Sequence, residues 1–534
     1  MIGPSTVEYI FLRASILFLH NIAPISLLYF ALFITSFLLN WNPQAYRLPF
    51  PAEVWLLSEA AFYTIVFLPY ENYLQRATTH PEPLTQEERA NLFARCHKHV
   101  SDPEKYIRQW LLGAKSIDIK RENVKEFIRW AFWNAADVLQ GDEDEVEDYV
   151  RALEKLLGRS IPHGKGSAKS LRLTLDKVNC SHRSLFWYLC VSVVDTITFC
   201  SMLYNGFHFH RTSLTCFIEL FPFRPLTLVS TYESPAKHLT YWHRPHTSKT
   251  RLPILFIHGI GIGLYPYTNF LRELNTGDEE CDGDVGIIAL EIMPISSRIT
   301  HSALEKDVMV HEIQTIIKYH GWTKYVLVSH SYGSIISTHL LKSPLTSPAI
   351  GNIMLIDPVS FLLHLPDVAY NFTARQPVHA NEHLLWYFGS KDIGVAHTLA
   401  RRFFWSENII WKEDLGLAVE QWGEGRKVTV AFGGKDILVD TNTVGRYLMD
   451  ASSKGLQTGD QAMGMASEVK VAAASGLGGA EREEWKTRPW MGSGLEVLWF
   501  EQMDHGQVFE LERTRRPIIK AIGVYTQLKG TSLL

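Results

Sequence analysis

The sequence has few cysteines and no excess of basic charge. Its 534 residues include six cysteines, which are too few for a disulfide scaffold and form no CxxC pair, so we expect no structural zinc site. Lysine and arginine number 52 against 56 aspartates and glutamates, which gives a net charge of −4. Proteins that bind nucleic acid usually carry an excess of basic residues, and this chain has none. We therefore expect no nucleic-acid partner.

Apolar residues are abundant instead. Hydrophobic residues make up 46% of the chain and charged residues 20%. This composition excludes a disordered, collagen-like or coiled-coil chain. At about 150 residues per domain, the length predicts three or four units, or one large α/β domain with appendages.

A stretch near the N-terminus without acidic or basic residues predicts a membrane anchor. Between Arg13 and Arg47 there is no Asp, Glu, Lys or Arg, and about twenty apolar residues suffice to cross a bilayer. We predict one clear span at about 22–41 within an anchor region at 1–70, and therefore a membrane location. A cleaved signal peptide is the competing interpretation, but it requires a shorter apolar run and a small-residue cleavage site.

Two further apolar stretches, 52–70 and 185–204, contain acidic residues. The first contains Glu53 and Glu59, and the second contains Asp195 near its middle. Because a charge within lipid is costly, each is interpreted as a core or interfacial helix, with a membrane span as the alternative.

The rest of the chain divides by its hydrophobic patterning. Residues 71–225 have helical periodicity, including a capping-box pattern at Thr85 and Glu88. From 226 to 534, short β-branched runs alternate with helical stretches, which predicts an α/β domain with a mostly parallel sheet and helices on both faces. Seven of these runs are predicted to be strands, and they begin at Leu239, Leu252, Val285, Lys324, Asn352, Lys427 and Leu495. Within it, about 361–425 is predicted to be an inserted cap, and the Gly-, Ala- and Ser-rich stretch at about 452–484 a flexible insertion.

The motif Ser329-His330-Ser331-Tyr332-Gly333 follows a strand pattern and precedes a helix pattern. Small residues on both sides of a serine at such a turn are typical of a nucleophile elbow. Ser331 is therefore the candidate nucleophile. The first position of this motif is usually glycine, and here it is Ser329.

A glycine-rich loop follows the strand pattern LPILFI. It contains His258, Gly259 and Gly261, and its glycines allow the backbone to approach an oxyanion. The backbone N–H groups of Ile260 and Tyr332 are the candidate donors of an oxyanion hole.

A histidine and an acid complete the constellation. His505 follows the last strand pattern, where a general base that takes the proton of Ser331 is expected. Asp436 ends the strand before it and is the preferred acid to orient His505, with Asp357 as the alternative. His208, His210, His243 and His246 lack the spacing of metal ligands, and we expect no metal site.

Together HGIGIG, SHSYG, FGGKD and MDHG resemble the α/β-hydrolase superfamily over about the last three hundred residues. With its hydrophobic N-terminus, the chain is similar to membrane-anchored fungal proteins of that fold. The resemblance implies a serine esterase or lipase-like mechanism without metal or organic cofactor, with Ser331 as nucleophile, Asp436 as acid and His505 as base.

We therefore expect a membrane-anchored serine hydrolase that cleaves an ester or acyl bond through an acyl-enzyme. A lipid-like substrate is favoured by the aromatic residues of the predicted cap: Phe361, Trp386, Tyr387, Phe403, Phe404 and Trp405. An acyltransferase or peptidase on the same residues, or a catalytically silent membrane scaffold, is the alternative.

Overall fold

The computed structural model describes residues 5–39, 41, 47–137, 140–274, 282–417, 425–450 and 483–528. Nearly all of the predicted flexible insertion at 452–484 lies outside these residues, so it stays a prediction. Cys281 also lies outside the described residues.

The N-terminal part consists of two apolar helical segments. The first is α1 (Thr6–Leu38), and the second consists of α2 (Phe50–Ala61), a π-helical turn at Phe62–Phe67 and α3 (Leu68–Leu74). A capping box formed by Ser5 and Glu8 begins α1. The predicted span at 22–41 is therefore part of a longer helix that begins at Thr6.

In the described part of the chain, five more α-helices precede the first strand: α4 (Gln86–Lys98), α5 (Pro103–Trp110), α6 (Arg121–Trp133), α7 (Glu143–Leu157) and α8 (Leu185–Tyr204). The capping box of Thr85 and Glu88 is confirmed at the start of α4. The apolar faces of α5, α6 and α7 belong to the same hydrophobic core as one face of the sheet.

Among the described residues, three helical segments are long and apolar enough to cross a membrane, although sequence analysis singled out one clear span. They are α1, the segment Phe50–Leu74 and α8. The acids that weakened the second stretch as a span both have partners. Glu53 accepts a hydrogen bond from the Tyr29 hydroxyl at 2.6 Å. Glu59 is fully buried and accepts the N–H groups of Leu185 and Phe186 at 2.8 and 2.9 Å. Its carboxylate thereby caps α8 and joins α2 to it.

In the part of the chain that the structure describes, nine strands form one sheet: β1 (His208–Arg211), β2 (Tyr232–Glu233), β3 (Thr240–Arg244), β4 (Ile254–Ile257), β5 (Ile287–Glu291), β6 (Tyr325–His330), β7 (Ile350–Ile356), β8 (Val428–Gly433) and β9 (Leu495–Phe500). Sequence analysis predicted β3 to β9, and these seven are confirmed. It did not predict β1 or β2, which are short and lie at one edge.

The sheet has the order β2-β1-β3-β5-β4-β6-β7-β8-β9. From β5 to β9 every pair of neighbours is parallel, whereas β3 is antiparallel to both β5 and β1. The prediction of a mostly parallel sheet is confirmed. The sheet includes β1, which precedes residue 226.

The remaining helices are α9 (Thr268–Glu273), α10 (Lys306–Tyr319), α11 (Gly333–Lys342), α12 (Asp367–Ala369), α13 (Ala380–Leu384), α14 (Ile393–Arg401), α15 (Trp405–Asn408), α16 (Thr441–Met449) and α17 (Glu512–Thr526). One core contains Ile313 of α10 and Ile335 of α11, and the second contains Phe270 of α9 and Ile518 of α17. Helices thus cover both faces, as predicted.

Between β7 and β8 lies the segment predicted to be a cap. It contains α12 to α15 and two π-helical turns, at Tyr370–Ala374 and Leu385–Ser390. Leu12, Ile16 and Leu19 of α1 form a common cluster with Ala380 and Tyr387 of this segment. The N-terminal helix and the predicted cap are therefore packed against each other.

Candidate active site

Ser331 lies at a sharp turn between β6 and α11. Its φ is +52°, a left-handed conformation that is unfavourable for a residue with a Cβ atom. Gly333 lies so close to β4 that an added Cβ would meet the Ile257 carbonyl oxygen at 2.4 Å. The strained turn and the close glycine hold Ser331 at the end of the strand, as a nucleophile elbow requires.

Ser329 occupies the position of this motif where glycine is usual. It is fully buried, and its Oγ accepts a hydrogen bond from Ser337 Oγ at 2.9 Å. Because its hydroxyl has a partner on α11, the larger side chain is accommodated without an unsatisfied polar group.

Three of the predicted site residues form a continuous hydrogen-bonded series. His505 Nε2 lies 2.8 Å from Ser331 Oγ, and His505 Nδ1 lies 2.7 Å from Asp436 Oδ2. The three side chains come from the turns after β6, β8 and β9, which are far apart in sequence. Both distances are normal hydrogen bonds, so a proton on Ser331 can pass to His505 without rearrangement.

The Asp436 carboxylate is also bound by its own turn. Its Oδ1 accepts the N–H groups of Leu438 and Val439 at 2.7 and 3.0 Å, and its side chain is fully buried. These bonds fix the carboxylate and leave Oδ2 for the imidazole.

Asp357, the alternative acid, lies nearby in a different arrangement. It is fully buried, with Oδ1 accepting the Gly433 N–H at 2.9 Å and Oδ2 accepting the Gly506 N–H at 2.7 Å. It thus binds the turns that contain Asp436 and His505. Burial, together with the charge of Asp436, raises the pKa of Asp357 to about 6.

Two further residues that sequence analysis did not single out hold the His505 turn. Asp504 Oδ1 accepts the backbone N–H of His505 at 2.7 Å, and Asp504 Oδ2 accepts Asn381 Nδ2 at 2.7 Å. The one signal for Asp504 in the sequence is its position directly before His505. No local pattern marks Asn381, which comes from the predicted cap.

The electrostatics favour a charged His505. Burial by itself lowers the pKa of an imidazole, but the Asp436 carboxylate opposes it, helped by Asp357 and Asp504. The net effect raises the pKa of His505 from 6.5 to about 9. The neighbouring His330 is the opposite case, since burial lowers its pKa well below the usual value. His505 is therefore a strong proton acceptor beside a neutral histidine.

The glycine-rich loop after β4 packs directly on the elbow. A Cβ atom at Gly259 would lie 2.7 Å from Ser331 Cβ, so a larger residue would displace one of them. Among the described residues, the N–H groups of Ile260 and Tyr332 have no hydrogen-bond acceptor, and both residues line the same cavity as Ser331. Both N–H groups thus remain available to a bound oxyanion.

His258 and Gly261 hold this loop. His258 is fully buried, with Nδ1 2.7 Å from the Gly259 carbonyl oxygen, and its Nε2 accepts the Ile292 N–H at 3.0 Å. Gly261 donates its N–H to the Ile295 carbonyl at 3.1 Å. Burial lowers the pKa of His258 to about 4, so it acts in the neutral form as a connection between the loop and β5.

No family model and no curated protein matches this chain. Solved structures similar to it include a membrane phospholipase A described as a bacterial virulence factor, a carboxylesterase from the thaumarchaeon Nitrososphaera gargenis and carboxylesterase CesB from Bacillus subtilis. They are 12%, 14% and 9% identical to it, with TM-scores of 0.35, 0.32 and 0.35. The matches cover 64%, 54% and 62% of this chain and 94%, 96% and 98% of those proteins.

The sheet itself decides the fold. Its parallel strands end at one edge in the serine turn, then the acid turn, then the histidine turn, in that chain order, while β3 runs antiparallel beside them. The chain has the α/β-hydrolase fold. Its Ser331, Asp436 and His505 lie where such a fold places reactive groups, at the carboxyl ends of the strands.

A cavity of about 860 Å³ opens onto Ser331 and His505 of this hydrolase-fold chain. Its walls are mostly apolar, and they include residues of the elbow and glycine-rich loop, the predicted cap, the turns after β8 and β9, α5 and α6 with Trp110 and Trp130, and finally α1 and α8. The volume is within the range of about 300–1,000 Å³ that is usual for small-molecule sites.

The aromatic residues of the predicted cap, which favoured a lipid-like substrate, divide into two groups. Phe403 and Trp405 line it. Tyr387 instead packs below the Arg183 guanidinium, whose carbon lies 3.8 Å above its ring. The residues of the predicted set that do not line the cavity are Phe361, Trp386, Tyr387 and Phe404. The cap contributes Phe372 and Phe388 in their place, because its helical turns determine which side chains point inward.

The described residues include one histidine group whose geometry could hold a metal ion, His210, His243 and His320, with ligand atoms within 4.8 Å of one another. The Tyr241 hydroxyl lies 3.0 Å from His210 Nδ1 and 2.9 Å from His320 Nε2. Of the four histidines that sequence analysis considered, two belong to this group. The group is at the β1–β3 side of the sheet, away from the Ser331 turn in the strand order.

Proposed function

We propose that this protein is a membrane-associated serine hydrolase that cleaves the ester bond of a lipid-like substrate. The observation that supports it most is the hydrogen-bonded series of Ser331, His505 and Asp436 at a strained elbow. The fold alone would not imply activity. A serine, a base and an acid in normal hydrogen-bond geometry supply the groups that nucleophilic catalysis needs.

In the first half of the reaction, Ser331 Oγ attacks the carbonyl carbon of the ester while His505 Nε2 takes the hydroxyl proton. The N–H groups of Ile260 and Tyr332 bind the oxyanion that forms. The bond to the alcohol then breaks, and the leaving oxygen receives the proton from His505. Ser331 is left as an acyl ester.

In the second half, a water molecule attacks the acyl carbon and gives its proton to His505. When the new tetrahedral intermediate collapses, Ser331 recovers that proton and the carboxylic acid is released. Asp436 keeps His505 in the orientation that allows both transfers, and its charge stabilises the imidazolium each time it forms.

Two features favour a lipid-like substrate at a membrane. The cavity beside Ser331 is large and mostly apolar, which suits an acyl chain better than a polar headgroup. In addition, three helical segments within the described ranges have the length and composition of membrane spans. The proposed membrane contact therefore includes α1, the segment Phe50–Leu74 and α8, and is broader than the single anchor predicted from the sequence.

The test is labelling by a fluorophosphonate, which reacts with an activated serine. We expect the wild-type protein in detergent to be labelled and Ser331→Ala not to be labelled. Ser101→Ala, which changes an exposed serine, is the matched control and should be labelled as the wild type is. A folded wild-type protein without labelling would instead favour a silent scaffold, and labelling that survives in Ser331→Ala would place the nucleophile elsewhere.

A further inference from the structure

Two helices from outside the sheet form one wall of the cavity. Leu12 and Ser15 of α1 line it, and so do Trp187 and Cys190 of α8. Both helices are among the segments with the length and composition of a membrane span. The space beside Ser331 therefore borders directly on the most apolar helices of the chain.

The cavity reaches the molecular surface between these helices. Phe11 and Phe18 of α1 and Phe186 of α8 line the cavity, yet they are 67%, 48% and 38% exposed. The rings of Phe18 and Phe186 meet edge to face, with centroids 5.7 Å apart. We call this opening, defined by Phe11, Phe18 and Phe186, the aromatic mouth.

The outer faces of the two helices around the aromatic mouth are apolar. Leu17 and Ile25 of α1 are 68% and 56% exposed, and Val193 and Ile197 of α8 are 59% and 50% exposed. Exposed apolar residues concentrated on two neighbouring helices mark an interaction site on a protein. Because both helices have the length and composition of a membrane span, the hydrocarbon of a bilayer is the partner that suits this surface.

The charged residues of these two helices are few. Asp195 is the only acidic or basic residue of α8. It is buried against Arg298, whose Nε lies 3.3 Å from Asp195 Oδ2. In α1, Glu8 and Arg13 both lie in the first third of the helix, where a long side chain can extend to the polar interface.

From this arrangement we infer that the aromatic mouth admits the acyl chain of a membrane lipid directly from the bilayer. The α1–α8 wall holds the chain while its ester group reaches Ser331. This inference rests on the proposed function and adds to it the substrate class, a long-chain lipid, and the route of entry. Water-soluble short esters would reach Ser331 without occupying this wall.

Two fluorophosphonates with different alkyl chains separate the wall from the reactive serine. An ethyl fluorophosphonate needs only Ser331 and its partners, whereas a hexadecyl fluorophosphonate must also place its chain. Each buried methylene strengthens binding by about four-fold, so loss of the chain site affects the long probe selectively. The measured quantity is the second-order rate of labelling of the full chain in phosphatidylcholine nanodiscs.

Bulky substitutions on the two helices test the two sides of the route independently. We expect Ser15→Trp in α1 and Cys190→Trp in α8 each to slow labelling by the hexadecyl probe at least about ten-fold, with labelling by the ethyl probe within about two-fold of wild type. The matched controls Leu17→Trp and Val193→Trp add the same ring to the outward faces of the same helices. They should leave both rates unchanged.

The possible outcomes have distinct meanings. Unchanged hexadecyl rates in Ser15→Trp and Cys190→Trp would overturn the entry route while the serine hydrolase stands. An equal loss with both probes would also overturn it, since that pattern indicates general damage to the site. If neither probe labelled the wild-type protein, the proposed function would be overturned.

A second measurement tests the route without catalysis. Ser331→Ala in nanodiscs containing a phosphatidylcholine with a diazirine at the end of one acyl chain is illuminated and digested. We expect crosslinks in peptides that contain Leu12 and Cys190, and we expect Ser15→Trp to reduce them. Crosslinks confined to the outward residues Leu17 and Val193 would show that lipid surrounds the helices without entering between them, and would overturn the inference.

Discussion

The two ends of the cavity are built in different ways. At the Ser331 end, hydrogen bonds and backbone conformation hold each reactive group, and most partners lie within a few residues of a strand end. At the α1–α8 end, the wall consists mostly of apolar side chains from helices that are far apart in the chain. At the first end, local turns position the groups of the proposed reaction. At the second end, the packing of helices determines which acyl chains can reach Ser331.

This difference predicts that substitutions at the two ends have different signatures. At the Ser331 end, rates should fall for every substrate, whatever its chain length. At the α1–α8 end, rates should fall for long chains alone. The following predictions test that contrast with p-nitrophenyl butyrate as the short substrate and p-nitrophenyl palmitate as the long one.

The largest effect is expected for His505→Ala. Removing the proposed base should lower kcat by on the order of 10⁴–10⁶ for both esters, because the proton of Ser331 then has no acceptor. His311→Ala, on an exposed part of α10, is the control and should retain wild-type rates. A loss for palmitate alone would contradict the role of His505 and would break the contrast between the two ends.

The second-largest loss of kcat is expected for Asp436→Asn. Asp357→Asn should instead affect mainly the stability of the fold. An amide at 436 no longer stabilises the imidazolium, so kcat should fall by about 10⁴ for both esters. Asp357→Asn places an NH₂ group against the N–H of Gly433 or Gly506. We expect it to destabilise the fold by about 1–3 kcal/mol, measured as the unfolding free energy, with a smaller loss of kcat. The reverse pattern would exchange the two roles.

Gly259→Ala probes the contact between the loop and the elbow. A Cβ atom 2.7 Å from Ser331 Cβ must displace the loop that contains the Ile260 N–H. We expect kcat to fall by about 10²–10³ for both esters, the typical effect of losing one oxyanion donor. The exposed Gly141→Ala, where an added Cβ meets no neighbour within 4 Å, serves as control. Wild-type kcat in Gly259→Ala would indicate that the loop takes no part.

The dependence of kcat/KM on pH should report the protonation of His505. Its pKa is raised from 6.5 to about 9, and the proposed base must be neutral, so kcat/KM should rise as the pH increases toward 9. Replacing the largest favourable charge by Asp436→Asn should move this midpoint to lower pH. The stability linkage has the opposite sign: a raised histidine pKa stabilises the fold fully below about pH 6.5, and this contribution is lost as the pH rises through 9. A profile that falls over this range would contradict the assignment.

The smallest effect is expected for Glu59→Gln at the α2–α8 contact. The amide retains one acceptor for the N–H groups of Leu185 and Phe186 but loses the charge that favours the start of α8. We expect a loss of stability of about 1 kcal/mol and a few-fold loss of kcat/KM for palmitate, with butyrate unchanged. Glu219→Gln at an exposed site is the control. An equal loss of kcat/KM for palmitate and butyrate would contradict the prediction that the α1–α8 end affects long chains alone.

Sequence analysis predicted the sheet from local patterns. The strands β3 to β9 are short β-branched runs between helical stretches, and each is visible within fewer than ten residues. The edge strands β1 and β2 escaped because they have four and two residues, too few for an alternating pattern to be recognised. Likewise, Ser331 and His505 could be singled out because their turns follow strands directly.

The walls of the cavity were harder to predict. The periodicity of the predicted cap did not distinguish Phe403, which lines the cavity, from Phe404, which does not, since both lie in the connection between α14 and α15, where no helical period sets the direction of a side chain. Glu59 and Asp195 were weighed as obstacles to membrane spans. Their partners Leu185 and Arg298 are distant in the sequence, so no local pattern revealed them.

The amino-acid sequence by itself therefore determined the strand and helix alternation, the serine turn, the histidine turn and the apolar character of the N-terminal segments. These features depend on backbone preferences and hydrophobic spacing over a few residues. Only the tertiary structure decided that His505 contacts Asp436 while Asp357 binds backbone N–H groups, and that α1 and α8 reach Ser331's cavity. Those outcomes depend on which distant side chains meet when the layers pack, and packing is a property of the whole fold.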